Sequence, residues 1–216
     1  MDKKGIFIVL EGLDGCGTTT QTALLKDWFA GPGAKYGKCA ATCEPTAGPA
    51  GSLARMALNH RLHLDKHTLA LLFAADRTDH VFKKNEGGQE PGLAQRLAQG
   101  VHVISDRYLL SSLAYQSLDL PMEWILQINS RVIKPDLTIY IEIDPETAQK
   151  RLSQGRLHQD LYEALETQRR VRQQYEEAMA LLIKDGHRIS RVNGDQPLTA
   201  VQNDIVKELL PFLEKL

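Results

Sequence analysis

Little in this chain carries one sign of charge. Its 26 Lys and Arg stand against 27 Asp and Glu, a formal net charge of −1. So even a balance leaves no electrostatic footprint for nucleic acid or an anionic membrane. No run approaches the ~18 consecutive apolar residues of a membrane span. Met1-Asp2-Lys3-Lys4 leads directly into an apolar run, without room for a secretory signal, so a cytoplasmic protein is expected. Cysteine is scarce, and Cys16, Cys39 and Cys43 are an odd number, which argues against a disulfide framework. Cys39-x3-Cys43 has no second ligand pair to complete a zinc site. Repeats and low-complexity tracts are lacking too. What remains is 216 residues, 43% of them hydrophobic. That is enough for one compact domain over 1–216.

Strand-like runs appear at Gly5–Glu11, Lys38–Glu44, Val101–Asp106, Leu137–Ile143 and His187–Val192. Helical periodicity fills Thr18–Ala30, Lys66–Lys84, Gly92–Gln99, Ser111–Arg131, Glu146–Leu152, Asp160–Lys184 and Leu198–Leu216. Pro32-Gly33 and Gly48-Pro49 read as turns or loops. Alternating strands and helices, with near-continuous apolar strands such as Ile6-Phe7-Ile8-Val9-Leu10, predict an α/β fold. Its sheet would be five-stranded and parallel, covered by helices on both faces. In such sheets ligands bind beyond the carboxyl ends of the strands.

After the first strand comes Gly12-Leu13-Asp14-Gly15-Cys16-Gly17-Thr18-Thr19-Thr20. This matches the phosphate-binding pattern G-x-x-x-x-G-K-[ST] at every position but one. Backbone N–H groups of such a loop and its helix N-terminus wrap a phosphate. The lysine slot holds Thr18, so the charge that bridges β- and γ-phosphates must come from elsewhere. Thr19 takes the slot whose hydroxyl ligates Mg²⁺. Cys16 lies near helix N–H groups, which lower a thiol pKa.

Asp106-Arg107-Tyr108 ends another strand. An acid there holds Mg²⁺ directly or through water, and Arg107 can fork onto a second phosphate. Phe73 and Arg77 are i,i+4 neighbours on one helix face, an aromatic plane beside a guanidinium. Periodicity alone favours a core Phe73 and a solvated Arg77.

Together with Leu10–Gly15, Glu44-Pro45, Leu71–Arg77, Ser111-Ser112, Ala114-Tyr115-Gln116 and Pro135–Thr138, these segments resemble the thymidylate kinase family along nearly the whole chain. The resemblance implies a P-loop kinase fold with a small lid over about 151–163, and ATP-dependent phosphorylation of dTMP to dTDP with Mg²⁺. It implies that Gly12–Thr20 bind ATP, and that Thr19 and Asp106 organise the metal. Phe73 would stack on thymine, with Ser111, Ser112, Tyr115 and Gln116 lining the pocket near Glu44 and Pro45. Arg77 and Arg107, aided by Arg55, would grip the 5′-phosphate, and Asp14 would contact the 3′-hydroxyl. A homodimer is implied as well. Two departures stand out: Cys43 where relatives have arginine before Glu-Pro, and Thr18. Arg156, with Arg151 as the alternative, is expected to supply the missing charge from the lid, since a guanidinium forks onto two oxygens.

His60, His63 and His67 share a helical spacing but lack an acidic cage, so they are read as solvated. Two other readings stay open: a nucleotide binder disabled by Thr18, and a kinase for another nucleotide.

Overall fold

The computed structural model describes residues 4–84, 90–155 and 164–215. Five strands form one sheet, β1 (Phe7–Gly12), β2 (Cys39–Cys43), β3 (His102–Asp106), β4 (Leu137–Glu142) and β5 (Ile189–Asn193), in the order β2-β3-β1-β4-β5. Every pairing is parallel. The central strand β1 is buried along its whole length, as a strand covered on both faces must be.

Among the described residues eight α-helices connect the strands and a ninth follows β5: α1 (Thr18–Ala30), α2 (Pro49–Leu58), α3 (Lys66–Phe82), α4 (Leu93–Ala98), α5 (Leu109–Gln116), α6 (Met122–Ile128), α7 (Pro145–Gly155), α8 (Leu165–Lys184) and α9 (Leu198–Leu213). Right-handed crossovers assign their sides. The step from β1 to β2 runs one way along the sheet and the steps β2 to β3, β3 to β4 and β4 to β5 run the other. Hence α1 covers one face, packed with α9, while α5 and α8 pack together on the opposite face. The direction reverses between β1 and β3, which opens a crevice at their carboxyl ends.

The five strands fall where the sequence predicts, within two residues at each end. The helix expected from Asp160 starts at Leu165, with Ala164 extended as its N-cap, and the helices differ in two further places. The stretch expected as one helix, Ser111–Arg131, is α5 and α6 broken before Pro121, which precedes the first residue of α6; proline has no N–H with which to continue a helix. Gly48-Pro49, read as a loop, instead starts α2, with Pro49 at its first position, where the missing N–H costs nothing. Of the expected lid, 151–155 belong to α7, and 156–163 lie outside the described residues.

Two side chains tie the start of the sheet together. His102 accepts from the Ile6 amide at Nδ1 (3.1 Å), and its Nε2 donates to the Tyr36 carbonyl (2.9 Å). Asp136 accepts from the Phe7 amide (2.8 Å), fixing the start of β1.

Candidate active site

Strand register places the working residues side by side. Leu10 pairs with Asp106, and Asp106 with Cys43, so the phosphate loop, the Asp106-Arg107 turn and the Glu44-Pro45 turn leave the sheet together. They surround a cleft of about 590 Å³. It is lined by Asp14, Gly15, Gly17, Thr18 and Thr19 of the loop, and also by Arg55, Phe73, Arg77, Ser112 and Gln116.

Backbone shape makes the loop. Gly15 and Gly17 have φ of 88° and 97°, the left-handed region that glycine enters freely. A Cβ on Gly15 would also meet the Ala148 carbonyl at 2.7 Å, so the loop rests directly on α7. Thr18 and Thr19 open α1. The Thr19 hydroxyl donates to Asp106 Oδ2 at 2.5 Å. Asp106 Oδ1 is buried without a partner. A hydroxyl and a carboxylate with an unused oxygen suit Mg²⁺, which takes one or two protein oxygens and keeps waters and phosphates as its other ligands. Among the described residues no cluster of three or more His, Cys, Asp or Glu forms a cage of its own.

Arg107 crosses the crevice. It has φ 71°. Its guanidinium donates to Asp14 Oδ1 (2.7 Å), to the Tyr175 hydroxyl (2.9 Å) and to the Gly12 carbonyl. Asp14, expected to face a sugar hydroxyl, is therefore paired with Arg107, while its amide donates to the Tyr115 hydroxyl at 3.0 Å. Beneath lies Glu11, fully buried, which accepts from the Tyr108 amide (2.9 Å) and from the amide and hydroxyl of Ser111. Burial pushes its carboxyl above the ordinary value, against the opposing pull of Arg107 and these hydrogen bonds.

On the acceptor side Arg77 lines the cleft but is not solvated. It is 2% exposed. Its Nε donates to Glu44 (2.7 Å), and its terminal nitrogens donate to Asn129 Oδ1 (2.5 Å) and Ser112 (2.9 Å). Glu44 also bonds His80 at 2.9 Å, and His80 bonds Thr42 at 2.7 Å. Gln116 Oε1 is buried and unpartnered at the cleft wall. Arg55, exposed at the cleft's edge, donates to the Pro45 carbonyl. Arg151 lines the cleft but donates to the Gly194 carbonyl (2.9 Å) and lies 3.9 Å from Asp195. Arg156 lies outside the described residues.

Burial outweighs the pull of Arg107 and the Thr18 amide on Cys16 and pushes its thiol up to about 11, so it is no ready thiolate. Sequence reasoning missed Tyr175, Asn129 and His80 as site residues. Tyr175 lies 164 residues from Glu11 and Asn129 52 residues from Arg77, and nothing local marks either. Glu11 was legible as an acid closing a buried strand, but its role as the acceptor for the first turn of α5 was not.

A parallel sheet with a phosphate loop at its switch point and an acid–arginine turn on the neighbouring strand defines a P-loop nucleotide kinase. The thymidylate kinase family model matches residues 10–205, and the chain belongs to that family. It is 36% identical to the "Probable thymidylate kinase" of Methanococcus vannielii over 78% of this chain and 75% of that protein. Against the protein of the same name from Pyrococcus abyssi the figure is 37%, over 94% of this chain and 95% of that protein.

Proposed function

We propose that the chain transfers the γ-phosphoryl group of ATP to dTMP, giving dTDP for dTTP synthesis. The observation that carries this is the single cleft shared by the phosphate loop and the Phe73–Arg77 face of α3. The loop amides and the α1 N-terminus hold the ATP phosphates. Arg107 and Arg55 hold the acceptor phosphate, which is already ionised and needs no general base. Thr19 and Asp106 hold Mg²⁺, which when bound offsets the charge spread over the transferring phosphates. Held in line, the two substrates react with little further chemistry asked of the protein.

The base is read by three residues that line the cleft. Phe73 stacks on it, Arg77 has N–H groups beyond the three it uses internally, and Gln116 Oε1 needs a donor. A pyrimidine dione presents a carbonyl acceptor beside an N–H donor, the complement of that set; cytosine presents the reverse. We read the chain as one domain over 1–216, a reading supported by its five strands forming one sheet. A homodimer through α2 and α3 fits their exposed Leu53, Met56 and Leu71.

The test is ADP release with dTMP, dUMP and dCMP. Mg²⁺-dependent turnover of dTMP is expected, abolished by EDTA. For dCMP, kcat/KM should be at least about tenfold lower, since its edge leaves Gln116 unpaired. Equal turnover of dCMP would sink the base assignment. Binding of both ligands without ADP formation would leave the binder disabled by Thr18.

A further inference from the structure

Tyr175 stands mid-way along α8, fully buried and behind the residues that line the cleft. Its hydroxyl lies 2.9 Å from the Gly12 carbonyl, 2.9 Å from an Arg107 terminal nitrogen and 2.9 Å from Ser111 Oγ. Counting protons orders the cluster. The Ser111 hydroxyl proton goes to Glu11. Arg107 can only donate, so the phenol oxygen receives its N–H. The one phenol proton is then shared between the Gly12 carbonyl at 2.9 Å and Glu11 Oε2 at 3.3 Å, with the carbonyl the nearer acceptor. Burial keeps the phenol protonated by pushing its pKa well up. One hydroxyl thus joins the first carbonyl of the phosphate loop to the arginine that faces the acceptor. Its ring is held separately, against Tyr140 at 5.0 Å and Tyr115 at 6.0 Å between centroids.

We propose that Tyr175 is a positioning residue whose hydroxyl sets the Arg107 guanidinium relative to the phosphate loop, aligning acceptor with donor. This rests on the kinase reading above. Only α8 carries the group, so the helix packed behind α5 takes part in alignment without touching either substrate.

Tyr175→Phe removes one oxygen and keeps the ring packing. Tyr140→Phe is the matched control, because the neighbouring Tyr140 hydroxyl is buried without a partner. In the full-length chain, Tyr175→Phe should lower kcat/KM for dTMP about tenfold, while KM for Mg-ATP stays within about twofold. Its calorimetric Kd for dTMP should rise in parallel, and Tyr140→Phe should change none of these. Adding Arg107→Lys should cost less in the Tyr175→Phe background than in the parent, because the two act through one contact. Kinetics and dTMP affinity in Tyr175→Phe matching those of Tyr140→Phe would overturn the proposal. So would an equal loss for both substrates that tracks a fall in melting temperature. A parent chain that binds dTMP but never phosphorylates it sinks the kinase reading alone, because the affinity comparison still reports the placement of Arg107.

Discussion

Thr18 leaves the donor phosphates short of positive charge. Every arginine lining the cleft among the described residues has an internal partner: Arg77 with Glu44, Arg107 with Asp14, Arg151 with the Gly194 carbonyl, Arg55 with the Pro45 carbonyl. Thr18 itself lines the cleft at the first position of α1. A lysine there could extend its stem toward the β- and γ-phosphates. Thr18→Lys should therefore lower KM for Mg-ATP about tenfold, the scale of one charge-assisted hydrogen bond, and leave KM for dTMP alone. An unchanged donor KM would mean that another cation already meets those phosphates. Glu44 poses the opposite problem. It and Arg77 are 3% and 2% exposed, and removing one charge of such a pair strands the other. Glu44→Gln should cost about 3–5 kcal/mol in denaturant unfolding. It should also impair dTMP binding, because Arg77 loses the partner that orients it. A loss below about 1 kcal/mol would show that Asn129 and Ser112 suffice.

At the scale of elements, α2 is held by close approach. A Cβ on Gly51 would meet the Thr46 carbonyl at 2.3 Å and Asp76 Oδ1 at 2.6 Å. Thr46 cannot retreat, since Asp76 accepts from both its amide (2.7 Å) and its hydroxyl (2.5 Å). Gly51→Ala should cost about 1–3 kcal/mol, a melting shift of several degrees by calorimetry. It should raise KM for dTMP as α2 carries Arg55 outward; an unshifted melting curve would refute the close packing. The turn from α8 into β5 carries a pH dependence. Burial, and then Lys134, hold His187 below its ordinary 6.5, with Asp185 opposing. A lowered histidine pKa means that the unfolded chain takes up the proton first. The stability from neutral His187 is therefore fully present above about pH 6.5 and falls as pH drops through 6.5 toward the lowered value. Melting curves of the parent and His187→Gln should converge as pH falls through that window. A constant difference would count against it.

For the whole molecule, the five parallel strands, and with them the carboxyl-end location of the site, were legible because buried parallel strands advertise themselves as apolar runs; the strand order was not. The phosphate loop was legible because glycine spacing is local. Arg77's true surroundings were not, since Glu44, Ser112 and Asn129 reach it from three other parts of the chain. Nor was α2, whose starting proline is read equally well as a turn. Surface chemistry adds one more expectation. Of the seven large apolar side chains exposed among the described residues, Leu53, Met56, Leu71 and Phe82 lie on α2 and α3. Those helices pack on each other and carry Arg55, Phe73 and Arg77 on their cleft side. A twofold partner covering them would remove that apolar surface from water and stiffen the acceptor wall from behind. Light scattering at micromolar concentration should give twice the 24.1 kDa chain mass, and Leu71→Glu should reduce it to the single chain with a raised KM for dTMP. A parent chain that runs at 24.1 kDa would leave the acceptor wall to be held by the buried Asp76, Glu44 and His80 contacts alone.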